Sequence, residues 1–184
     1  MPYSEQDAVT ALNSVETVQR RTTILRGYER GAPYFFLWGI IWIIGYTGSE
    51  LYRQHAGMVW LLLNLIGIAA GFFIQKAGHS AGKSFHTASQ YIGASVSAAV
   101  FVAATYFIFQ PVRGEQLDAF PPLLIAFIYT LAGLWRGIRF TVAGILLTAL
   151  TVCGYAFLAQ HFALWMAVVG GTTLLTTGFW LRHG

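Results

Sequence analysis

Long intervals without a charged residue constrain this chain more than any other feature. Nineteen uncharged residues separate Arg30 from Glu50, and 22 separate Arg53 from Lys76. At about 1.5 Å per helical residue, 19 residues span about 29 Å, which matches the hydrocarbon core of a bilayer. Only 10% of the residues are charged and 56% are hydrophobic, whereas about 25% of the residues of a soluble domain are charged. The solvent of this chain must therefore be partly lipid.

The uncharged intervals predict an all-α membrane protein with six transmembrane helices. The longest interval contains 42 residues between Arg139 and Arg182. That is twice the length of one span, so we expect a turn at Gln160-His161. The predicted helices cover about 33–51, 57–75, 90–110, 119–136, 139–159 and 162–181.

The first thirty residues predict a separate amphipathic helix on the cytoplasmic side, so the chain divides into residues 1–30 and a membrane domain, 31–184. Gly31 and Pro33 are expected to end this helix, because Pro33 suits the first turn of the next one. Its apolar stripe needs a partner surface, which is the membrane interface, the protein's own cytoplasmic face or a second copy. We therefore expect residues 4–30 to mediate self-association or binding to a membrane or cytoplasmic protein. The stripe consists of Ala8, Ala11, Leu12, Val15, Val18 and Leu25.

The distribution of lysine and arginine predicts that both termini are cytoplasmic. With the N-terminus inside, the outer loops contain only Arg53 and Arg113. The cytoplasmic segments hold the other nine, which is the positive-inside bias of a bacterial inner-membrane protein. These nine are Arg20, Arg21, Arg26, Arg30, Lys76, Lys83, Arg136, Arg139 and Arg182.

Short motifs indicate that the six helices form three hairpins related by an internal repeat. The first hairpin contains Gly45-Tyr46, Gln54-His55 and Trp60, and the last contains Gly154-Tyr155, Gln160-His161 and Trp165. The middle hairpin keeps Thr105-Tyr106. Such repeats are related by an axis along the membrane normal. The interpretation places Tyr46, Tyr106 and Tyr155 in one layer toward the outer leaflet, which is a candidate ligand layer.

The interior of every predicted span lacks Asp, Glu, Lys and Arg. Proton-coupled and ion-coupled transporters usually keep such a group inside the membrane, and intramembrane enzymes need acid–base pairs. We therefore predict no catalytic residues, no cofactor and no nucleic-acid partner.

Five other residues are candidates for a weaker function. Trp42 belongs to an aromatic series with Tyr46 at every fourth position, and such rings can bind a cation. Asn64 and Thr173 are mid-span polar groups that would line an uncoupled pathway, although interhelical hydrogen bonding is the simpler interpretation. His55 and His161 occupy matching outer positions and have the side chains of a metal or haem site.

A series of short motifs opens the chain: Ala11-Leu12, Val15-Glu16, Arg20-Arg21, Arg26-Gly27-Tyr28, Pro33, Leu37-Trp38-Gly39 and Gly45-Tyr46. With these motifs the beginning of the chain resembles a group of small bacterial inner-membrane proteins without an assigned activity. This resemblance implies a bacterial inner membrane and carries no functional residues. The six-helix plan is also similar to that of the HdeD acid-resistance membrane protein family, although no diagnostic motif matches.

Three hypotheses for function follow from the sequence. The first is a non-catalytic membrane module that acts by association with itself or a partner, in envelope stress or regulation. The second is a small uncoupled channel or facilitator with a pathway between the hairpins. The third is a metal- or haem-binding enzyme at the outer face.

Overall fold

The computed structural model describes residues 5–77, 84–110 and 113–183, and these residues form helices joined by short turns. Four helical stretches are long and apolar enough to cross a membrane, namely Arg53–Lys76, Gly114–Arg136, Ile138–Phe157 and Ala159–His183. The predicted class, a helical membrane protein, is confirmed, and the number of passes stays a prediction. The helices are α1 (Glu5–Leu51), α2 (Ala56–Ala77), α3 (Ser84–Phe109), α4 (Gly114–Arg136), α5 (Ile138–Phe157), α6 (Phe162–Trp165) and α7 (Gly171–His183).

Helix α1 runs without interruption through Pro33, so the predicted break at Gly31 and Pro33 is wrong. A proline inside a helix removes one backbone hydrogen bond, and packing on both sides compensates for that loss. Pro33 itself is exposed, whereas Tyr28 and Phe35 are buried on either side of it. Their rings lie 5.8 Å from the ring of Phe140, measured between centroids. Tertiary contacts therefore stabilise the helix across the proline.

The remaining boundaries agree with the prediction to within a few residues, with two exceptions. Helix α3 begins at Ser84, six residues before the predicted start. Helix α4 begins at Gly114, so Pro121 and Pro122 lie inside it and do not open it. The predicted turn at Gln160-His161 is confirmed as a 3₁₀ turn, Ala159–His161.

The last helix is a composite, which we call the C-terminal helix, Ala159–His183. A π-helical turn, Met166–Gly170, joins α6 to α7. Gly170 lies in this turn, and a Cβ there would meet the methyl group of Met166 at 2.9 Å and the ring of Trp42 at 3.4 Å. The wider π turn therefore brings backbone close to α1.

The hydrophobic core lies among four helices, which we call the core group: the part of α1 after Ile24, α4, α5 and the C-terminal helix. In the described part of the chain, every fully buried apolar side chain belongs to this group. We call helices α2 and α3 the edge pair, and of its described side chains only Trp60 and Leu63 of α2 pack against the core, both partly buried. The fold is thus a compact bundle with two helices at its side.

Glycines bring the helices of the core group close together. Gly133 of α4 packs against Thr141 of α5, and Gly39 of α1 faces the carbonyl oxygen of Gly171. The most extensive contacts join α4 to α5 and α1 to α7, which belong to different predicted hairpins. The three-hairpin arrangement therefore stays a prediction.

Candidate functional site

Two consecutive prolines create a special chemical situation near the start of α4. In an α-helix the carbonyl of residue i accepts a hydrogen bond from the N–H of residue i+4. Pro121 and Pro122 have no N–H, so the carbonyl oxygens of Leu117 and Asp118 have no intrahelical donor. An unsatisfied backbone group in lipid costs several kcal/mol, so each carbonyl needs a donor from elsewhere.

Two tyrosines from different helices supply those donors. The hydroxyl of Tyr46 in α1 donates to the carbonyl oxygen of Asp118 at 2.8 Å. The hydroxyl of Tyr106 in α3 donates to the carbonyl oxygen of Leu117 at 2.5 Å. We call this arrangement the proline–tyrosine clamp. It connects α1 of the core group and α3 of the edge pair to the same turn of α4.

Aromatic rings fix the position of Tyr46. Its ring makes edge-to-face contacts with Trp42 and Trp60, with centroids 5.8 Å and 4.9 Å away. Trp60 in turn donates from Nε1 to the Oγ atom of Ser49 at 2.9 Å. Because Trp42 and Tyr46 are both buried, neither face of this pair is open to a dissolved cation. In this structure both rings pack against neighbouring side chains, and the hydroxyl of Tyr46 donates a hydrogen bond to a carbonyl oxygen.

The third tyrosine of the predicted layer has a different environment. Tyr155 is partly exposed and contacts the ring of Phe162, with centroids 6.3 Å apart. It lines a small groove of about 250 Å³ with Ala119, Leu123 and Thr151. The structure thus brings the hydroxyls of Tyr46 and Tyr106 to the carbonyl oxygens of two adjacent residues. Tyr155 lies beside the same helix, and among the described residues its hydroxyl donates no hydrogen bond to that helix.

The two Gln-His turns have the same local structure. In each turn a residue donates its N–H to the carbonyl of the glycine four positions earlier, as Tyr52 does to Gly48 (2.8 Å) and Leu158 to Gly154 (2.9 Å). Each is followed by a histidine N–H that bonds back to that same residue, at 2.8 Å and 3.0 Å. In this register Gly154 corresponds to Gly48. The motif Gly45-Tyr46 is therefore one helical turn away from the position that the repeat in the sequence assigns to it.

Ionic contacts connect the two turns to each other. Glu50 Oε1 lies 3.2 Å from Arg53 Nη2 and 3.6 Å from His161 Nδ1. Arg53 Nη2 also donates to the carbonyl oxygen of Gln160 at 3.3 Å. His55 is exposed. Within residues 5–77, 84–110 and 113–183 no three His, Cys, Asp or Glu side chains converge as a metal site would require.

The two candidate pathway residues form hydrogen bonds within their own helices. Asn64 Nδ2 donates to the carbonyl oxygen of Trp60 at 2.8 Å, on the exposed side of α2. Thr173 Oγ1 donates to the carbonyl oxygen of Val169 at 2.7 Å and is buried in the core group. The two side chains therefore lie in separate environments, and neither lines the two grooves found among the described residues.

The predicted association surface lies on the N-terminal half of α1. Every side chain described from position 14 to position 23 is exposed, including Val15 (54%) and Val18 (62%). Contact with the core group begins at Ile24. The described side chains of the apolar stripe before Ile24 are therefore exposed and lie outside the bundle. Ala8, Ala11 and Leu12 belong to the predicted stripe, and their side chains lie outside the described part.

The sequence pattern identifies Tyr46 and Tyr106 but does not reveal what they bind. The signal for their acceptors is the adjacent pair Pro121-Pro122, because two neighbouring prolines in a helix always leave two carbonyls without intrahelical donors. Which side chains reach those carbonyls depends on how α1, α3 and α4 pack.

No family model, no curated protein and no solved structure that was compared with this chain matches it.

Proposed function

We propose that this chain is a non-catalytic polytopic protein of the bacterial inner membrane that acts by association with a second protein or a second copy, in regulation or envelope stress. The observation that carries the proposal is the exposed apolar stripe on a helix continuous with the membrane core. Val15, Val18 and Leu25 are exposed. Apolar faces of this kind are typical of helix-to-helix binding surfaces.

The length of α1 supports this role. Its 47 residues extend over about 70 Å, more than twice the thickness of a bilayer core. The part after Ile24 packs in the core group, so the part before it extends beyond the bundle. Because the helix is continuous through Pro33, a partner that binds the stripe contacts the same helix that carries Tyr46 of the proline–tyrosine clamp.

The proposed topology has six passes with both termini in the cytoplasm. Besides the four apolar stretches, it uses the half of α1 after Pro33 and helix α3. The half of α1 after Pro33 is rich in aromatic and aliphatic side chains, and α3 contributes the apolar stretch Ser95–Phe109. Arginines cluster where α1 enters the bundle, where α4 meets α5 and where α7 ends, which is the cytoplasmic face in this proposal.

The test is the single substitution Val18→Glu, which places a charge on the stripe without touching the bundle. We expect loss of the larger assembly, or of the co-purifying partner, when the protein is extracted in mild detergent and its mass is measured by light scattering. The matched control is Gln19→Glu, because Gln19 is equally exposed and lies 100° away around the helix. Gln19→Glu should leave the mass unchanged.

Equal masses for wild type, Val18→Glu and Gln19→Glu would contradict the proposal, provided that thermal unfolding of the three proteins coincides. A chain that begins at Arg21 gives an independent check. It retains Ile24 and Tyr28 at the bundle surface and removes Val15 and Val18. Association that survives this truncation would place the binding surface elsewhere.

A further inference from the structure

A cleft opens at the arginine-rich end of the bundle, between α1 and the turn that joins α4 to α5. Its volume is about 570 Å³, which lies within the range of small-molecule sites. It is separate from the proline–tyrosine clamp, which lies near the start of α4. Its lining includes Thr23, Ile24, Gly133, Trp135, Ile138 and Thr141.

A glycine with a positive φ forms the turn that borders this cleft. Gly137 has a φ of +112°, which residues with a side chain rarely adopt. A Cβ at this position would collide with the hydroxyl group of Tyr28 and lie 2.9 Å from Ile24 Cγ2. The tight turn thus begins α5 directly after α4 ends, and it packs closely against α1 beside the cleft.

The wall of the cleft is fixed by Arg139 and two aromatic rings. The Cζ atom of Arg139 lies 4.8 Å from the ring centroid of Tyr28 and 5.3 Å from that of Trp180. Its Nη1 donates to the carbonyl oxygen of Trp180 at 2.9 Å. These contacts hold α1, α5 and α7 together behind the cleft, so a ligand meets a preformed surface.

The rim of the cleft is apolar and faces outward. Leu134, Trp135 and Ile138 are each more than two-thirds exposed, and tryptophan is the residue typical of the headgroup level of a bilayer. The cleft also contains the hydroxyl-bearing residues Thr23 and Thr141. A hydrophobic rim beside polar groups fits an amphiphile, with its tails along the lipid-facing side of the bundle.

The charge at this end selects an anion. Arg136 is exposed and lies in the chain between the cleft-lining residues Trp135 and Gly137. Glu29 is the one acidic side chain that the structure describes at this end. Anionic headgroups are attracted to such clusters. The basic side chains described there are Arg21, Arg26, Arg30, Lys76, Arg136, Arg139 and Arg182.

We infer that this cleft is a specific site for the phosphodiester headgroup of an anionic phospholipid, with Arg136 as its charged partner and the rim of Trp135 and Ile138 against the glycerol and upper acyl chains. The inference is independent of the proposed association through α1. The ligand is an anionic phospholipid, and the cleft that binds it does not include the residues of the apolar stripe.

The experiment measures lipid binding by native mass spectrometry of the whole chain in detergent, with phosphatidylglycerol and phosphatidylcholine as probes. We expect phosphatidylglycerol to bind at one tight site, and we expect Arg136→Gln to weaken it by about fivefold, the effect of one basic residue at an anionic surface. The matched control is Arg182→Gln, which removes the same charge at the same end from a residue that, unlike Arg136, has no cleft-lining neighbour in the chain.

A second pair of variants changes shape without changing charge. Ile138→Trp enlarges a rim side chain and should reduce binding, whereas Ile145→Trp lies two turns further along α5 and should not. The inference would be overturned if the two lipids bound with equal affinity or if the two arginine variants had equal effects. It would also be overturned if inorganic phosphate, at the same concentration as the lipid, competed fully with it. Unchanged binding in Ile138→Trp would also overturn it.

Discussion

Helices α4 and α5 of the core group meet at glycines that face backbone atoms, whereas α2 of the edge pair meets α1 through side chains. A Cβ on Gly144 would lie 2.5 Å from the carbonyl oxygen of Ala126 and 2.6 Å from the backbone nitrogen of Thr130. A Cβ on Gly67 of α2 would meet the tips of the Ile41 and Trp38 side chains, at 2.7 Å and 3.0 Å. Side-chain tips can move, and a packed backbone cannot do so without separating the helices.

The difference teaches how a small membrane protein combines a rigid unit with a loosely attached one. Helices in lipid gain little from the hydrophobic effect, so close packing and hydrogen bonds must hold them together. The core group combines close backbone packing with hydrogen bonds such as Tyr46 to Asp118. The edge pair is joined to it by side-chain contacts and by hydrogen bonds from aromatic side chains, such as Tyr106 to Leu117 and Trp60 to Ser49. Changes in the core group should therefore have larger effects than similar changes in the edge pair.

The largest effect is expected for Gly144→Ala. The added methyl group overlaps backbone atoms of α4, so we expect the free energy of unfolding to fall by about 2–3 kcal/mol. The measurement is unfolding in mixed micelles titrated with a denaturing detergent. Gly67→Ala should have a smaller effect, because Trp38 and Ile41 can shift.

Gly93→Ala is the matched control for both glycine variants. A Cβ on Gly93 of α3 has no atom within 4 Å, and alanine has the higher helix propensity. We expect no loss of stability. If Gly93→Ala were as harmful as Gly144→Ala, the contrast between the core group and the edge pair would be wrong.

The intermediate effect is expected at the proline–tyrosine clamp. Tyr46→Phe leaves the carbonyl of Asp118 without a donor, so we expect a loss of about 1–2 kcal/mol in the free energy of unfolding. Tyr106→Phe should have a smaller effect, because Tyr106 is more exposed and belongs to the edge pair. Unfolding in the same mixed micelles measures both variants.

A double-mutant cycle identifies the cause. Pro122→Ala restores the N–H that bonds to the carbonyl of Asp118, so Tyr46→Phe should cost much less in that background. Pro121→Ala restores the donor for Leu117 instead, and it should rescue Tyr106→Phe but not Tyr46→Phe. If the matching alanine rescued neither tyrosine variant, the hydrogen bonds from the tyrosines would not be the cause of the loss.

The smallest effect is expected for Asn64→Leu in the edge pair. The side chain of Asn64 is exposed, and its Nδ2 donates to the carbonyl oxygen of Trp60 in the same helix. We expect a change in the free energy of unfolding within about 0.5 kcal/mol. The ion permeability of proteoliposomes should also stay at that of wild type. A permeability that changes with Asn64→Leu would support the channel hypothesis and place Asn64 on a pathway.

The sequence alone determined the class of protein and most of the helix ends. Long intervals without Arg, Lys, Asp or Glu indicate segments that lie in lipid, because a charge inside the bilayer is costly. For the same reason the turn at Gln160-His161 was predictable from length. The two carbonyls without donors in α4 were also encoded locally, in Pro121-Pro122.

Only the tertiary structure decided how those local features are used. Pro33 is typical of a helix break, yet Tyr28 and Phe35 pack against Phe140 and hold α1 continuous across it. The pairing of Tyr46 with Asp118 joins residues 72 positions apart, and no local pattern specifies such a contact. Helix propensity and charge act over a few residues, whereas the close approach at Gly144 and the clamp depend on how distant helices fit together.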